Sequence, residues 1–310
     1  MQTTQKTVGR KAPAVPEAAV QQARTVKRAV IMAAGKGERL RPLTLRTPKP
    51  LIRVHGERMI DTVVKALHAN GIFEICVVVG YRKEAFSGLP AEYPGLRLIE
   101  NPGWERCNNI SSLYAAREYL SDCIILDGDQ LIRNPAVLAP EFTRSGYNAV
   151  WTEAETAEWL LTVEDRNTGA LFTPSPGRYG NRGTDAAVST AAIAETAITS
   201  HLSRAGADPV ITRCSRTGGR DGWQLYSISR WTAEDGARLR RHLELEFEAH
   251  HNTSVYWDDV PLFCHPEEYE LGIFPMEKGD VTEIDTLAEL AAEDPDAVAD
   301  AVNGTGEGDP

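Results

Sequence analysis

No run of apolar residues in this 310-residue chain approaches the ~20 needed to cross a bilayer, which excludes a membrane-spanning helix. Cysteine is sparse, with five residues at Cys76, Cys107, Cys123, Cys214 and Cys264 and no C-x-x-C pair. An odd, dispersed set suits reduced thiols in a cytoplasmic protein rather than a disulfide frame or a zinc site. Basic excess is missing too. Against 33 Lys and Arg stand 44 Asp and Glu, a formal net charge of −11, which argues against nucleic acid or an anionic membrane surface as a partner. Residues 1–27 have no continuous apolar segment of the secretory kind and read as a mobile tail or an interaction arm. What remains is ordinary for an enzyme, 42% hydrophobic and 25% charged, with length for one large α/β domain or two small ones.

The stretch 29–52, AVIMAAGKGERLRPLTLRTPKPLI, dominates the rest. Its apolar opening, 29–32, has the continuous hydrophobicity of a parallel strand covered on both faces. A loop with Gly35 and Gly37 follows, where a missing Cβ lets a ligand approach backbone N–H groups. Lys36, Arg39, Arg41, Arg46 and Lys49 crowd the same segment of an acidic chain, which favours a local polyanion site. A tight strand-to-helix turn would need the glycines equally. The spacing fits neither G-x-x-x-x-G-K-[ST] nor G-x-G-x-x-G.

The whole string does fit a known pattern. Ala33-Ala34-Gly35-Lys36-Gly37-Glu38-Arg39-Leu40, Pro42-Leu43-Thr44 and Thr47-Pro48-Lys49-Pro50-Leu51 resemble the signature of the sugar-phosphate and choline-phosphate nucleotidyltransferases. The resemblance implies that Ala33, Ala34, Gly35, Lys36 and Gly37 wrap a nucleoside triphosphate. It implies that Arg39 and Lys49 are catalytic, neutralising phosphate charge while an acceptor attacks the α-phosphorus.

Further along, Ile60, Val63, Val64 and Leu67 sit at helical spacing within Met59–Ala69, and Asn70-Gly71 supplies a left-handed stop. Strands are expected at 75–79, 96–99 and 123–126, and a helix at 113–120. Asn and Ser before that helix read as caps. Resemblance to the choline-phosphate branch instead places Asn108 and Ser112 on the nucleotide and Asn109 on the acceptor. Strand 123–126 delivers Asp127-Gly128-Asp129 at its carboxyl end, where ligands of open parallel sheets gather. An Asx turn or a Mg²⁺ ion between two carboxylates accounts for that spacing equally. The family match assigns Asp129 to the metal and Asp127 to the nucleotide.

From 149 the pattern turns to a more mixed sheet. Trp159, by itself a core ring, matches a tryptophan that faces the acceptor in the choline-phosphate enzymes. Residues 166–220 look like an insertion, with an Ala/Thr-rich helical stretch at 186–202 and a basic cluster, Arg213, Arg216 and Arg220, either solvated or facing an acidic acceptor. Gly222–Trp231 alternates like a half-buried strand, and Thr232 caps the helix after it. His250-His251 is rejected as a metal site, with no carboxylate seen at ligand spacing. Tyr256, Trp257 and Asp258 belong to another block of the choline-phosphate enzymes, which implies an ammonium box, whereas plain structure would make them a strand with core aromatics. Asp285, otherwise a helix cap, matches the family's second metal carboxylate. Residues 293–310 are acidic and Gly-rich and read as a disordered tail.

The resemblance thus implies an α/β, Rossmann-like nucleotidyltransferase fold with a mostly parallel mixed sheet. One domain at 28–292 is expected, with a nucleotide half (28–148) and an acceptor half (149–292). Its expected reaction is Mg²⁺-assisted transfer of CMP from CTP to a small phosphonate of aminoethyl, hydroxyethyl or phosphonoformate type. Phosphocholine is the alternative acceptor. A sugar-1-phosphate enzyme and a catalytically silent nucleotide sensor also stay open, as does an oligomeric state. Sugar enzymes usually lack the Asn-Asn-x-x-Ser and Tyr-Trp-Asp blocks.

Overall fold

The computed structural model describes residues 23–174 and 207–298. Strand β1 (Arg28–Ala33) is buried from Ala29 onward, as its unbroken apolar sequence requires. Parallel to it run β2 (Glu74–Val79) on one side and β4 (Cys123–Asp127) on the other, with β3 (Leu96–Glu100) beyond β2. Helix α1 (Met59–Ala69) makes the crossover between β1 and β2. It ends at Asn70, and Gly71 takes the left-handed φ of 75° that the stop needs.

Wholly parallel pairing is confined to this first half. Strands β5 (Gly146–Thr152), β6 (Leu160–Asp165), β7 (Pro209–Ser215), β8 (Gly222–Trp231) and β9 (Gly272–Met276) complete a nine-stranded sheet. Antiparallel β8 is the hinge between the halves. Its end pairs with β4 from Ile228↔Leu126 to Trp231↔Cys123, and its start pairs with β6 through Gln224↔Leu160. β5 lies antiparallel to β8, and β9 runs parallel to β5.

Both faces of the sheet are covered. On one, Ile60, Val63, Val64 and Leu67 of α1 pack on Ile31, Val77 and Leu126. On the other, α2 (Ile110–Ala115) and α3 (Ala233–Glu244) pack with Tyr147, Trp231 and Trp257. Each such side chain taken from water contributes roughly 1.5–3 kcal/mol. A third cluster, including Leu40, Ile52, Met59, Leu131 and Ile284, sits under the glycine loop. It ties the loop to a ribbon of Gln130–Ile132 and Val281–Glu283, in which Gln130 faces Glu283. Asp129 and Asp285 leave opposite strands at that end of the ribbon.

Some boundaries differ from expectation. The helix expected at 113–120 starts earlier, at Ile110, because the Asn108 carbonyl accepts the N–H and hydroxyl of Ser111; only a 3-10 turn, Arg117–Tyr119, follows it. Part of the expected insertion is strand β7, paired with β6, while the helical stretch 186–202 lies outside the described residues. Of the expected tail at 1–27, Arg24–Thr25 pairs with Glu141–Phe142 and Val26 is buried. Nor does the body stop at 292. Helix α4 (Leu287–Glu293), with a capping box between Thr286 and Glu289, runs into Asp294, whose carboxylate accepts the backbone N–H of His55 at 2.5 Å. Among the described residues no helix is long and apolar enough to cross a membrane. All five cysteines are free thiols.

Candidate active site

At the carboxyl ends of β1 and β4 a cavity of about 700 Å³ separates the glycine loop from the second half of the sheet. Its near wall includes Gly35, Gly37, Arg39 and Lys49, and its floor includes Asp127 and Asp129. Gly37 is fixed by geometry. It has a φ of 60°, and a Cβ there would lie 2.9 Å from Thr44 Cγ2 and 3.0 Å from Lys49 Cβ. The Thr44 hydroxyl donates to the Gly37 carbonyl at 2.9 Å, which locks the loop over the lysine.

Lys49 sits on a 3-10 turn between Pro48 and Pro50 and is 8% exposed. Its Nζ lies 2.6 Å from Asp129 Oδ2 and 2.7 Å from Asp285 Oδ1, and Arg39 reaches the same Asp285 oxygen at 2.9 Å. Burial opposes the lysine's charge, but the two carboxylates overcome it and raise its pKa above the ordinary range. Burial likewise works against Asp285, and Lys49 with Arg39 holds its carboxyl below the usual value. The surrounding acids go the other way. Burial, then Asp129, Asp258 and Glu283, pushes Asp127 well above the usual carboxylate range. Burial pushes Glu283 up to about 7, with Asp129 and Asp285 adding to it against a 2.7 Å hydrogen bond from Gln130.

The far wall carries Asn108, Asn109, Trp159, Tyr256 and Asp258. Neither asparagine side chain caps α2. Asn108 donates to the Ser254 carbonyl at 3.1 Å, and Asn109 Oδ1 accepts the Trp257 backbone N–H at 2.8 Å, so the pair clamps segment 254–257 against the cavity. Tyr256 is 48% exposed, and its ring meets Trp159 edge-to-face at 5.7 Å between centroids. Asp258 is 6% exposed, lines the cavity, and has an Oδ1 with no hydrogen-bond partner. Burial and the neighbouring Asp259 raise its pKa to about 7, against the opposing pull of the nearby Tyr147 hydroxyl. That hydroxyl stands outside hydrogen-bond geometry with the carboxylate and is itself unpartnered.

Four expected site residues stand off the cavity. Trp257 is 1% exposed and packs between Tyr147 and Trp231, because the turn at 256–259 sends successive side chains to opposite sides. Ser112 is buried and accepts from Asn101 at 2.9 Å; α2 turns it inward. Ala34 is buried with its carbonyl bonded to the Tyr81 N–H, and Lys36 leans over the Trp104 ring. The remaining expected residues, Ala33 among them, do converge on the cavity. Glu158, Leu225, Ser227 and Glu283 line it unforeseen. Alternation along β8 puts Leu225 and Ser227 on one face, and Glu283 ends its strand two residues before Asp285.

One cation already touches both Asp129 and Asp285, the Lys49 ammonium, so these two carboxylates fit a shared divalent ion with phosphate oxygens completing its shell. A second donor cluster among the described residues, His242, His265 and Glu268, suits an ion poorly. Its imidazoles are stacked at 3.9 Å and 15°, so their in-plane lone pairs run side by side instead of converging. Glu246 also bonds His250 at 3.2 Å, so that histidine does have a carboxylate partner, contrary to the reading from spacing.

Comparisons with known proteins agree with this geometry. Residues 28–141 match the family model described as nucleotidyl transferase. A 2-aminoethylphosphonate cytidylyltransferase of Lancefieldella rimae is 34% identical over 268 residues, covering 86% of this chain and 91% of its own. A choline-phosphate cytidylyltransferase of Streptococcus pneumoniae is 40% identical over 139 residues, 44% of this chain and 59% of its own. Among solved structures, the CTP:phosphocholine cytidylyltransferase of Streptococcus pneumoniae superposes with a TM-score of 0.66 at 25% identity, covering 87% of this chain and 97% of that one. With the glycine loop, the buried lysine and the two carboxylates placed around one cavity, the chain belongs to the nucleotidyltransferase family, on its cytidylyltransferase branch.

Proposed function

We propose that the protein transfers CMP from CTP to a small amine-bearing phosphonate, 2-aminoethylphosphonate first, and releases pyrophosphate. The observation that carries the acceptor is the carboxyl group of Asp258, which lines the cavity with Trp159 and Tyr256 and has a buried Oδ1 without a hydrogen-bond partner. A buried acceptor atom without a donor is unfavourable, by about 1–3 kcal/mol for an ordinary polar group. A primary ammonium offers N–H donors to this carboxyl group, whereas the trimethylammonium of choline offers none. The name of the Lancefieldella rimae relative supports the same choice.

In the proposed reaction an anionic oxygen of the phosphonate attacks the α-phosphorus. That P–O bond forms as the bond to the bridging oxygen breaks, and pyrophosphate departs with the electron pair. The nucleophile is ionised at neutral pH, so the protein's part is positioning and charge neutralisation. Backbone N–H groups of the Gly35–Gly37 loop and Arg39 hold the β and γ phosphates. Lys49 neutralises charge growing on the α-phosphoryl oxygens. Asp129 and Asp285 would hold Mg²⁺, which when bound supplies Lewis-acid polarisation of the phosphates. Asn108 and Asn109 keep segment 254–257, and with it Tyr256, against the acceptor.

Phosphocholine is the second reading, favoured by the edge-to-face pair of Trp159 and Tyr256, whose ring faces suit a quaternary ammonium. Pyrophosphate release separates the readings. The four nucleoside triphosphates are each paired with 2-aminoethylphosphonate, phosphonoformate, phosphocholine and glucose-1-phosphate. Highest kcat/KM with CTP and 2-aminoethylphosphonate is expected. A preference for phosphocholine overturns the acceptor, and no release with any pair leaves a nucleotide sensor.

A further inference from the structure

The expected insertion ends in a stretch, 209–220, that runs along the acceptor side of the site. Its arginines have different fates. Arg220 stays exposed beside Asp221. Arg216, its side chain 47% exposed, lies over the acceptor wall with Nη2 2.5 Å from Oδ1 of the buried Asp259, an ion pair by distance whose angle falls outside hydrogen-bond geometry. Its guanidinium carbon lies 3.9 Å from the Phe263 ring centroid and 5.7 Å from that of Trp159. The other Asp259 oxygen accepts the backbone N–H of Tyr256 at 2.9 Å. Trp159 meets Phe263 edge-on at 5.6 Å and Tyr256 edge-on at 5.7 Å. In the turn that follows Arg216, Gly219 exchanges backbone hydrogen bonds of 2.8 and 2.9 Å with Thr156, just before Trp159.

We propose that Arg216 is a positioning residue for the acceptor, which fixes Trp159 and Tyr256 from behind through Phe263 and Asp259. The inference rests on the cytidylyltransferase reading of the cavity and gives the insertion a part in it. Arg216 is committed to Asp259, so it is not a free cation waiting for an acidic acceptor group. Its charge offsets a carboxylate that would otherwise be buried alone, and its plane covers a ring. Both contacts lead to the two aromatic side chains on the acceptor wall, and neither leads to the glycine loop. Losing them should loosen acceptor binding and leave the nucleotide side alone.

The test is steady-state pyrophosphate release with CTP and 2-aminoethylphosphonate each varied, alongside thermal unfolding. Variants are Arg216→Ala, Arg216→Lys and Phe263→Leu. Arg216→Ala should raise the acceptor KM about tenfold, with kcat and the CTP KM within about twofold of wild type. Lysine keeps a charge for Asp259 but not the plane on Phe263, so Arg216→Lys should unfold at the wild-type temperature and show an intermediate rise. Phe263→Leu should shift the acceptor KM in the same direction. If Arg216→Ala does not fold, the other two variants decide. An acceptor KM unchanged in folded Arg216→Lys and Phe263→Leu, or a matching rise in the CTP KM, overturns the inference while the wild-type activity stands. A wild type that releases no pyrophosphate with any acceptor overturns the reading of the cavity and this inference with it.

Discussion

The ammonium of Lys49 lies 2.6 Å from Asp129, with Asp285 at 2.7 Å on its other side, so one buried cation joins two carboxylates from distant parts of the chain. Neither acid could be so close to the other without a positive charge between them. The same three groups have to separate the charge differently when a triphosphate enters, which makes them the sensitive point of the molecule.

Removing the lysine should therefore affect rate and stability separately. Lys49→Ala is expected to lower kcat by about a thousandfold, the scale of losing one preorganised charge at a reacting phosphoryl group. In metal-free buffer it should also lower the unfolding temperature, because two carboxylates are left facing each other. Millimolar Mg²⁺ should restore the unfolding temperature but not the rate. Calorimetry with and without EDTA checks the first, and pyrophosphate release the second.

Tyr256 and Trp257 are neighbours with opposite burial, 48% and 1% exposed. Tyr256→Ala should keep the wild-type unfolding temperature and raise the acceptor KM several-fold. Trp257→Ala should instead destabilise the fold by about 3–5 kcal/mol, the range for deleting a large core aromatic. Urea unfolding of the two variants distinguishes them.

Asp258 gives the site a pH dependence of definite sign. Its folded-state pKa of about 7 lies above the unfolded value of 3.8, so the native state binds the extra proton. The stability that this contributes is fully present below pH 3.8 and is lost as pH rises through 7, by at most about 4 kcal/mol. Asp258→Asn should flatten the fall in unfolding free energy between pH 4 and pH 8, leaving the shares that come from Glu283 and Asp127. An ammonium acceptor prefers the ionised carboxylate, so the KM for 2-aminoethylphosphonate should fall as pH rises from 6 to 8. In Asp258→Asn it should be high and flat.

Gly37→Ala offers a backbone test. The left-handed φ and the 2.9 Å approach to Thr44 both oppose a Cβ. The loop should shift, raising the CTP KM at least tenfold while the acceptor KM holds, a split that initial-rate kinetics reads directly.

Sequence carried the fold as far as its period did. Continuous apolar runs marked β1, β2 and β4, and the spacing of Ile60, Val63, Val64 and Leu67 marked α1, because burial on both faces or on one stripe leaves that trace. The meeting of Lys49 with Asp285, 236 residues apart, leaves no local trace and came from the resemblance of whole blocks. Residues within those blocks were harder to orient. Trp257 and Ser112 face the core because of a turn and a helix start whose phase depends on Asn108 and Asn109, and periodicity does not fix that phase. Glu283 stands only two residues from Asp285, but its place on the cavity is set by pairing with Gln130–Ile132, far away in the chain. The role of Arg216 depends on Asp259 and Phe263, which no spacing rule connects to it.

The most direct measurement is the rate of pyrophosphate release from CTP and 2-aminoethylphosphonate, with Mg²⁺ and with EDTA, for wild type and Asp129→Asn. Turnover by the wild type only with the metal, and a loss of about a thousandfold in an Asp129→Asn variant that is still folded at the assay temperature, is the predicted result. Wild-type rates in Asp129→Asn, or turnover undiminished by EDTA, would contradict the central claim.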